Sequence, residues 1–492
     1  MAKRVAVIDI GSNSARMVIY EKSSRFAFHI LHEAKSRVRL SEGAYKNNGN
    51  LQEIPMQRAY DALCGFLSLI ESFKVRKTLC VATSALRDAP NKSAFISKIK
   101  QHLGINIKVI DGSKEAYLGA LACANLLPNQ TNAITIDIGG GSTEFAVITD
   151  KDISSNISLN LGTVRLKELY FDNNDINGAI KYIDSELSKL ELNNPTTLVG
   201  IGGSFRAISN ALLKSTKHPL DKLHAYEPSY NDFSMLLHKI LNASNENELR
   251  KLGIKENRFD VIKPGALILS RVLKRFKIDA LITSGAGVRE GVFLKDMLRN
   301  SKDRFPTNFN TSMRYIIDSY IENISYANQI NKVAKELFDL LYEKFDINVK
   351  YKYELGIAAK ICDCGNSIHF YSWQKHSYTI VEELLEFGFT HKQIALISTL
   401  CKFSKKRVNL SEHIDIFKSL LPQERVVDAL SFILSLSISL LSNRPRNIDF
   451  SLKLVKNVLF VESQKPLYLS KEAVEKIVTY SNLDICFTNT KF

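Results

Sequence analysis

One stretch of the chain occurs twice, and this repeat constrains the fold more than any other feature. Residues 6–20 read AVIDIGSNSARMVIY, and residues 134–148 read ITIDIGGGSTEFAVI. The two strings align without a gap, with Asp9 on Asp137. An internal repeat indicates two copies of one structural unit. Each copy has two apolar runs around a small turn, so we predict two related domains, each built on a hairpin.

The turn inside each copy consists of small and polar residues. Glycine lets the backbone approach a ligand closely, and successive backbone N–H groups can surround a phosphate. The sequence therefore predicts two phosphate-binding loops. Their candidate residues are Gly11, Ser12, Asn13, Ser14 and Arg16 in the first copy, and Gly139, Gly140, Gly141, Ser142 and Thr143 in the second.

An aspartate precedes each turn, Asp9 in the first copy and Asp137 in the second. Mg²⁺ takes oxygen ligands, often only one or two carboxylates together with waters and phosphate oxygens. The second copy carries a further acid, Glu144, where the first has Arg16. We therefore predict that Asp137 and Glu144 hold Mg²⁺ (or Mn²⁺), with Asp9 as the weaker metal candidate. Arg16 would present a cation to the phosphates.

The strings DIGSNSAR and DIGGGSTE resemble the two phosphate loops of the superfamily that contains actin, hexokinase and the heat-shock chaperone ATPases. In detail they are similar to the exopolyphosphatase / guanosine pentaphosphate phosphohydrolase family. The resemblance covers the first 300 residues well and the remainder only loosely. It implies duplicated actin-like (ribonuclease H-like) α/β domains and an activity on chains of phosphates.

The resemblance also implies two catalytic residues. Glu115 in DGSKEAYLG matches the second acid of the family's GxEEA string, where it is the catalytic base, although Lys114 replaces the first acid. Such a carboxylate can accept a proton from an attacking water. Arg87 matches the arginine of the family's ATxxxR string, and a guanidinium suits the charge on phosphoryl oxygens. Without the resemblance, the helix dipole alone would explain a glutamate at the position of Glu115.

Further candidates lie in glycine-bearing turns of the second half of the repeat region. Gly202, Gly203 and Ser204 in the turn GIGGS fit a backbone phosphate clamp at the start of a helix. Arg289 in the turn SGAGVREG is another candidate for phosphate contact. Arg165 in LGTVRL is the weakest of the arginine candidates.

The charge of the chain favours an anionic ligand. The 492 residues carry a formal net charge of +15, and a positive field attracts anions. The charge is spread along the chain without a dense Lys/Arg block, so we do not expect a nucleic-acid partner. Arg37 and Arg39, in a polar segment after the first hairpin, are placed to reach an anion.

The cysteines and the hydropathy bear on where the protein works. The seven cysteines are scattered, as is typical of a protein in a reducing compartment. No apolar stretch approaches the ~18 residues that indicate a membrane-spanning helix. We therefore expect a cytoplasmic protein without a membrane partner.

Strands alternate with helices through the first part of the chain, which predicts the α/β class. We predict actin-like domain I over residues 1–126 and actin-like domain II over 127–301. The Pro/Asn-bearing segment 302–310 reads as a linker.

Residues 311–492 read as successive amphipathic helices, with a small strand-containing end at 447–461. The segment at Cys362 and Asp363 is similar to an HD phosphohydrolase string, but cysteine stands where the first histidine is needed. We predict an all-helical HD-like C-terminal domain without its metal site. Such a domain would lengthen the substrate channel or form the surface of a homodimer.

These observations predict an Mg²⁺-dependent phosphohydrolase that releases terminal phosphate from inorganic polyphosphate or from the 5′ γ-phosphate of guanosine pentaphosphate. One alternative is a kinase or ATPase of the same superfamily, which needs an adenosine pocket and a base placed for a substrate hydroxyl. The other is a non-catalytic sensor of polyphosphate or of the alarmone. Glu115, Asp137 and Glu144 argue against a sensor, because a pure binder does not benefit from carboxylates that face a polyanion.

Overall fold

The structure, a computed structural model, describes residues 3–191, 195–405, 410–478 and 480–489. The chain divides into two compact units, Met1–Phe309 and Asn310–Phe492. The division falls at the end of the segment that the sequence indicated as a linker. The domain limits given above for the two halves of the first unit remain predictions.

The N-terminal unit contains two five-stranded sheets of the same topology. The first has the order β3-β2-β1-β4-β5 and the second, read in the same sense, β8-β7-β6-β9-β10. In each sheet the first three strands in chain order are antiparallel neighbours, and the last two continue the sheet in parallel. This identity of topology confirms the duplicated α/β fold. The strands are β1 Arg4–Ile10, β2 Ala15–Lys22, β3 Phe28–Ser36, β4 Lys77–Ala82, β5 Ile107–Val109, β6 Ala133–Ile138, β7 Thr143–Thr149, β8 Asp152–Leu159, β9 Thr197–Gly200 and β10 Ala280–Thr283.

Helices connect and cover these sheets. In α1 the buried residues Ala59, Leu63, Phe66 and Ile70 recur at helical spacing, which gives the helix one apolar face. The segment LGTVRL, predicted as a turn, is instead the start of α5. The helices are α1 Glu53–Ser72, α2 Ser84–Asp88, α3 Lys92–Leu103, α4 Gly112–Leu126, α5 Thr163–Leu169, α6 Ile176–Ser188, α7 Gly203–Ser215, α8 Tyr230–Asn242, α9 Glu246–Lys251, α10 Phe259–Arg275 and α11 Val288–Met297.

Two helices pack on the sheet of the opposite half. Cys123 of α4 lies in one buried cluster with Val199 of the second sheet. Phe293 of α11 stacks on Tyr20 of the first sheet, with 4.2 Å between the ring centroids. The predicted boundary at residue 126 therefore assigns α4 to the first half, although α4 packs on the sheet of the second half. Hydrophobic periodicity shows that a helix has an apolar face, but not which sheet buries that face.

The C-terminal unit is a helical domain with a small sheet, which confirms the helical class predicted for it. Most of α18 is buried, so it forms the centre of this unit. The predicted strand region at 447–461 is the hairpin of β11 and β12, and β13 adds a parallel strand that the pattern did not indicate. The elements are α12 Thr311–Tyr320, α13 Ile324–Leu341, α14 Lys352–Ile361, α15 Trp373–Leu384, α16 His391–Lys402, α17 Leu410–Ile416, α18 Glu424–Leu440, β11 Phe450–Val455, β12 Val458–Ser463, α19 Tyr468–Glu475 and β13 Asp484–Asn489.

The segment with HD-like sequence lies at the end of α14. Cys362 and Cys364 are both fully buried, and burial raises the pKa of both thiols. They are therefore protonated core side chains at neutral pH. In the part of the chain that the structure describes, no helix is both long and apolar enough to span a membrane.

Candidate active site

The two repeated turns share one hydrogen-bonding pattern. The Gly11 N–H donates to the Ser14 carbonyl at 3.1 Å, and the Gly139 N–H donates to the Ser142 carbonyl at 2.9 Å. Each turn joins two antiparallel strands, β1 to β2 and β6 to β7. The residues that align in sequence therefore occupy equivalent places in the two loops.

The two loops face each other at close range. A Cβ atom at position 140 would lie 2.7 Å from the Cβ atom of Ser12, so this point of the second loop has room only for glycine. The Ser12 hydroxyl lies 2.8 Å from the Ser84 hydroxyl at the start of α2. The glycine run in the second copy, opposite Ser-Asn-Ser in the first, thus follows from how closely the loops approach.

A cleft of about 380 Å³ opens at the two loops. Arg87 lies beside it and contacts its lining. The structure therefore brings together candidates from segments that are far apart in sequence. The predicted residues that line the cleft are Asp9, Gly11, Ser12, Asn13, Ser14, Arg16, Glu115, Asp137, Gly139, Gly140, Ser142, Gly202, Gly203, Ser204 and Arg289.

Three predicted residues, Gly141, Thr143 and Glu144, do not line the cleft. Strand β7 begins at Thr143, and the Thr143 hydroxyl donates to the Leu161 carbonyl at 2.6 Å. Glu144 is 2% exposed and accepts a hydrogen bond from the Ser158 hydroxyl at 2.8 Å. The roles predicted for these residues in phosphate and metal binding remain predictions, and Glu144 stands directly opposite Asp137 across the hairpin, so their side chains lie on one face of the sheet.

Arg165, the weakest arginine candidate, also lies outside the cleft lining. Its Nε atom donates to the Gly141 carbonyl at 2.9 Å. Its guanidinium packs over the ring of Tyr45, 4.6 Å from the centroid. Arg165 therefore supports the second loop from behind.

Glu115 lies in the first turn of α4, whose N-terminus is capped by Asp111. Its Oε2 atom accepts a hydrogen bond from Arg87 Nη1 at 2.9 Å, and Arg87 Nη2 donates to the Ser142 hydroxyl at 3.3 Å. Burial raises the pKa of Glu115 well above its usual range, Glu144 adds to the rise, and Arg87 opposes it. The site therefore holds a buried carboxyl of increased basicity that is linked through one guanidinium to the second loop.

Asp9 and Asp137 meet the chemical needs of a Mg²⁺ ion. Burial raises the pKa of Asp9 to about 6, and the negative charge of Asp137 contributes to this rise. The Oδ1 atom of Asp9 is buried and has no hydrogen-bond partner among the described residues. No three His, Cys, Asp or Glu side chains gather around one point in the described ranges. Two carboxylates and phosphate oxygens suffice for Mg²⁺, so either Glu144, as predicted, or Asp9 can form the pair with Asp137.

The cleft is also lined by a group of cations, several of which the sequence did not indicate. Burial, helped by the positive charge of Arg16, lowers the pKa of Lys35 to about 8 and that of Arg258 to about 10. Because buried cations that repel one another are stabilised by a bound anion, this lining favours a polyanionic ligand. The cations are Arg16, Lys35, Arg37, Arg206, Arg258 and Arg289.

The newly found cations reach the cleft through tertiary structure. Lys35 is brought opposite Arg16 by the pairing of β2 with β3. Arg258 precedes α10 and packs against Gly203, where a Cβ atom would lie 2.3 Å from its guanidinium. Arg206 stands in the first turn of α7, where the helix dipole disfavours a cation. Among these three cations, the unfavourable placement of Arg206 is the one feature of the sequence that could have indicated a cleft residue.

Arg289 is held at the cleft by a small network. Its Nη1 atom donates to the Glu33 carboxylate at 2.6 Å. The adjacent Glu290 accepts the Gly287 N–H at 2.7 Å and the Tyr20 hydroxyl at 2.6 Å. These bonds tie the start of α11 to the first sheet and fix Arg289 opposite the loops.

The duplicated sheets and the cationic cleft at two facing loops define a phosphate-handling α/β protein. Residues 18–300 match the Ppx/GppA phosphatase family, and residues 310–474 match domain III of Ppx/GppA phosphatases. The chain belongs to the Ppx/GppA phosphatase family. This membership confirms the family predicted from the two loop strings and makes the protein a phosphohydrolase.

Individual relatives agree with this assignment. A guanosine-5′-triphosphate,3′-diphosphate pyrophosphatase from Photobacterium profundum is 26% identical over 419 residues, which cover 83% of this chain and 82% of the relative. The crystal structure of an exopolyphosphatase from Cytophaga hutchinsonii has 27% identity, a TM-score of 0.57, and coverage of 61% of this chain and 100% of its own. The Aquifex aeolicus member of the family has 29% identity, a TM-score of 0.53, and coverage of 61% and 99%.

Proposed function

We propose that this protein is an Mg²⁺-dependent phosphohydrolase that releases terminal phosphate from inorganic polyphosphate, from the 5′ γ-phosphate of guanosine pentaphosphate, or from both. The observation that carries the proposal is the contact of Glu115 with Arg87 beside the two loops. Two relatives, named for an action on guanosine 5′-triphosphate,3′-diphosphate and for exopolyphosphatase activity, support these substrate classes.

In this mechanism the loop N–H groups and the cations of the cleft hold the terminal phosphates. Glu115 accepts a proton from a water molecule as that water attacks the terminal phosphorus. The bond from phosphorus to the bridging oxygen breaks, and the shortened phosphate chain leaves. Arg87 and Arg289 stabilise the negative charge that spreads over the phosphoryl oxygens.

Asp137, together with Glu144 or Asp9, would hold the metal ion in this proposal. Bound Mg²⁺ (or Mn²⁺) would neutralise charge on the phosphate oxygens. A cytoplasmic location and a homodimer also remain proposals for this protein, and both can be measured independently of the activity.

The proposal is tested by measuring phosphate release from long-chain polyphosphate and from guanosine pentaphosphate, side by side, with Mg²⁺. We expect release from at least one substrate, loss of release with EDTA, and recovery when Mg²⁺ is restored. Phosphoryl transfer from ATP to a hydroxyl compound, with neither substrate hydrolysed, would instead identify a kinase. Tight binding without release would identify a sensor.

Lys35 should set an alkaline limit on activity. Its pKa is lowered to about 8, so it is protonated below that pH and loses its charge above it. We therefore expect kcat/KM to fall with a slope of about one above pH 8, since the free enzyme then binds phosphate more weakly. Lys35→Arg keeps the charge and should move this limb to higher pH. An unchanged limb in Lys35→Arg would show that another group titrates.

A further inference from the structure

A lysine, a histidine and a threonine form a chain of hydrogen bonds in the C-terminal unit. Lys402, in the last turn of α16, places its Nζ atom 2.9 Å from Nδ1 of His413 on α17. The Nε2 atom of His413 lies 2.9 Å from the Thr399 hydroxyl. An ammonium group has donors only, so Nδ1 accepts from Lys402, and the ring proton is on Nε2, which donates to Thr399. This tautomer of His413 keeps an acceptor directed at the lysine.

The lysine amine is bordered by aromatic rings. Its Nζ atom lies 4.9 Å from the ring centroid of Tyr378 and 5.5 Å from that of Phe403. The His413 ring packs against the same two rings, with centroid distances of 5.6 Å and 5.4 Å. Aromatic faces attract an ammonium group, so these rings hold the lysine side chain at His413 and replace part of its water.

The charges around Lys402 favour a reactive amine. Burial lowers the pKa of Lys402, the charge of Glu382 opposes this change, and that of Lys375 adds to it. Burial and the charge of Lys402 lower the pKa of His413 to about 4, so the imidazole is neutral and remains an acceptor at neutral pH. Lysine nucleophiles are activated by apolar surroundings and by a neighbouring cation, and Lys402 has both.

The position of Lys402 at the surface and the charge beside it indicate which reagent can react there. Lys402 is partly exposed, whereas His413 is 4% exposed. Lys375 on α15 is exposed and carries a positive charge near Lys402, which attracts an anionic reagent. An acyl phosphate joins such an anionic group to an electrophilic carbonyl carbon. An uncharged thioester lacks the group that Lys375 attracts.

We propose that Lys402 is a modification site whose amine is acylated by acyl phosphates. The neutral amine keeps one N–H directed at His413 Nδ1, and its lone pair attacks the carbonyl carbon. The N–C bond of an amide forms, and the bond from that carbon to the phosphate oxygen breaks. The proton lost by the amine leaves with the phosphate as hydrogen phosphate.

The modification removes a positive charge from the contact between α16 and α17, because the amide product is neutral. This inference concerns the C-terminal unit alone and does not depend on the proposed hydrolase activity.

The test is acylation of the full-length protein by acetyl phosphate, with the initial rate at each lysine measured by mass spectrometry. Lys392, an exposed lysine on the same helix, is the internal control. At neutral pH we expect acetylation several-fold faster at Lys402 than at Lys392, because burial and Lys375 favour the neutral amine of Lys402. The ratio should fall as the pH approaches about 10.4, the ordinary pKa of lysine, and should be near one in protein unfolded by urea. Equal rates in the folded protein, or no acetylation of Lys402, would overturn the inference.

Thr399→Val tests the chain of hydrogen bonds. Valine keeps the shape of threonine but gives His413 no hydroxyl to donate to, so the tautomer that accepts from Lys402 is no longer fixed. We expect the rate at Lys402 to fall several-fold toward that of Lys392, with Lys392 unchanged. The matched control is Ser398→Ala, which removes another buried hydroxyl of α16, one that donates to a backbone carbonyl at 3.2 Å. A rate at Lys402 that is unchanged in Thr399→Val, or that falls equally in Ser398→Ala, would overturn the role of this chain.

Discussion

Replacement of Glu115 by glutamine should lower kcat for phosphate release by about 10²- to 10⁴-fold, the usual contribution of a general base. Glutamine has nearly the same shape and can still accept a hydrogen bond from Arg87, but it cannot take a proton from water. Substrate binding should change little, because the substitution adds no negative charge that would repel phosphate. Single-turnover phosphate release, with KM measured in parallel, separates these effects.

Glu186→Gln serves as the control for Glu115→Gln. It is another buried glutamate in a helix, and it does not line the cleft. It should keep wild-type kcat. Full activity of Glu115→Gln would remove Glu115 from the mechanism and would leave the water to be activated by the substrate or by another carboxylate.

Arg87→Met should produce the second large effect, a loss of about 10³-fold or more in kcat, as for an arginine that stabilises a phosphoryl transition state. The change also removes the charge that opposes the raised pKa of Glu115. Glu115 then stays protonated to higher pH, so the acid limb of the kcat profile should move upward. A pH profile of kcat for wild type and variant measures both effects.

Two further variants make the Arg87 result specific. Arg87→Lys keeps a positive charge near Glu115 but cannot contact Glu115 and Ser142 together. Its acid limb should therefore lie close to that of the wild type, while its kcat stays low. Arg271→Met is the matched control, since Arg271 makes a two-point ion pair with Asp184 and does not line the cleft. A large rate loss in Arg87→Met with an unmoved acid limb would show that Arg87 does not tune Glu115.

The predicted metal ligands illustrate what tertiary structure adds to a prediction drawn from sequence. The string DIGGGSTE suggested that Asp137 and Glu144 act together, because they flank one turn. The strand register places the two residues opposite each other across the hairpin. Glu144 is 2% exposed and accepts a hydrogen bond from the Ser158 hydroxyl. Asp9, from the other copy, lines the same cleft as Asp137 and has an unpartnered oxygen.

The sequence by itself determined the features that are local and repeated. The two loops, the duplicated α/β fold, the helical C-terminal domain, the family and the position of Glu115 in a helix's first turn all follow from short strings or from hydrophobic periodicity. Such signals depend on neighbouring residues only, so one sequence suffices to detect them.

The tertiary structure alone decided which distant side chains meet. Lys35 became a cleft residue through strand pairing, and Arg258 became one through its packing on Gly203. It also decided that α4 and α11 cover the sheets of opposite halves. The physical reason is that contact, burial and pKa depend on distances through space, and residues far apart in the chain carry no local sign of their partners.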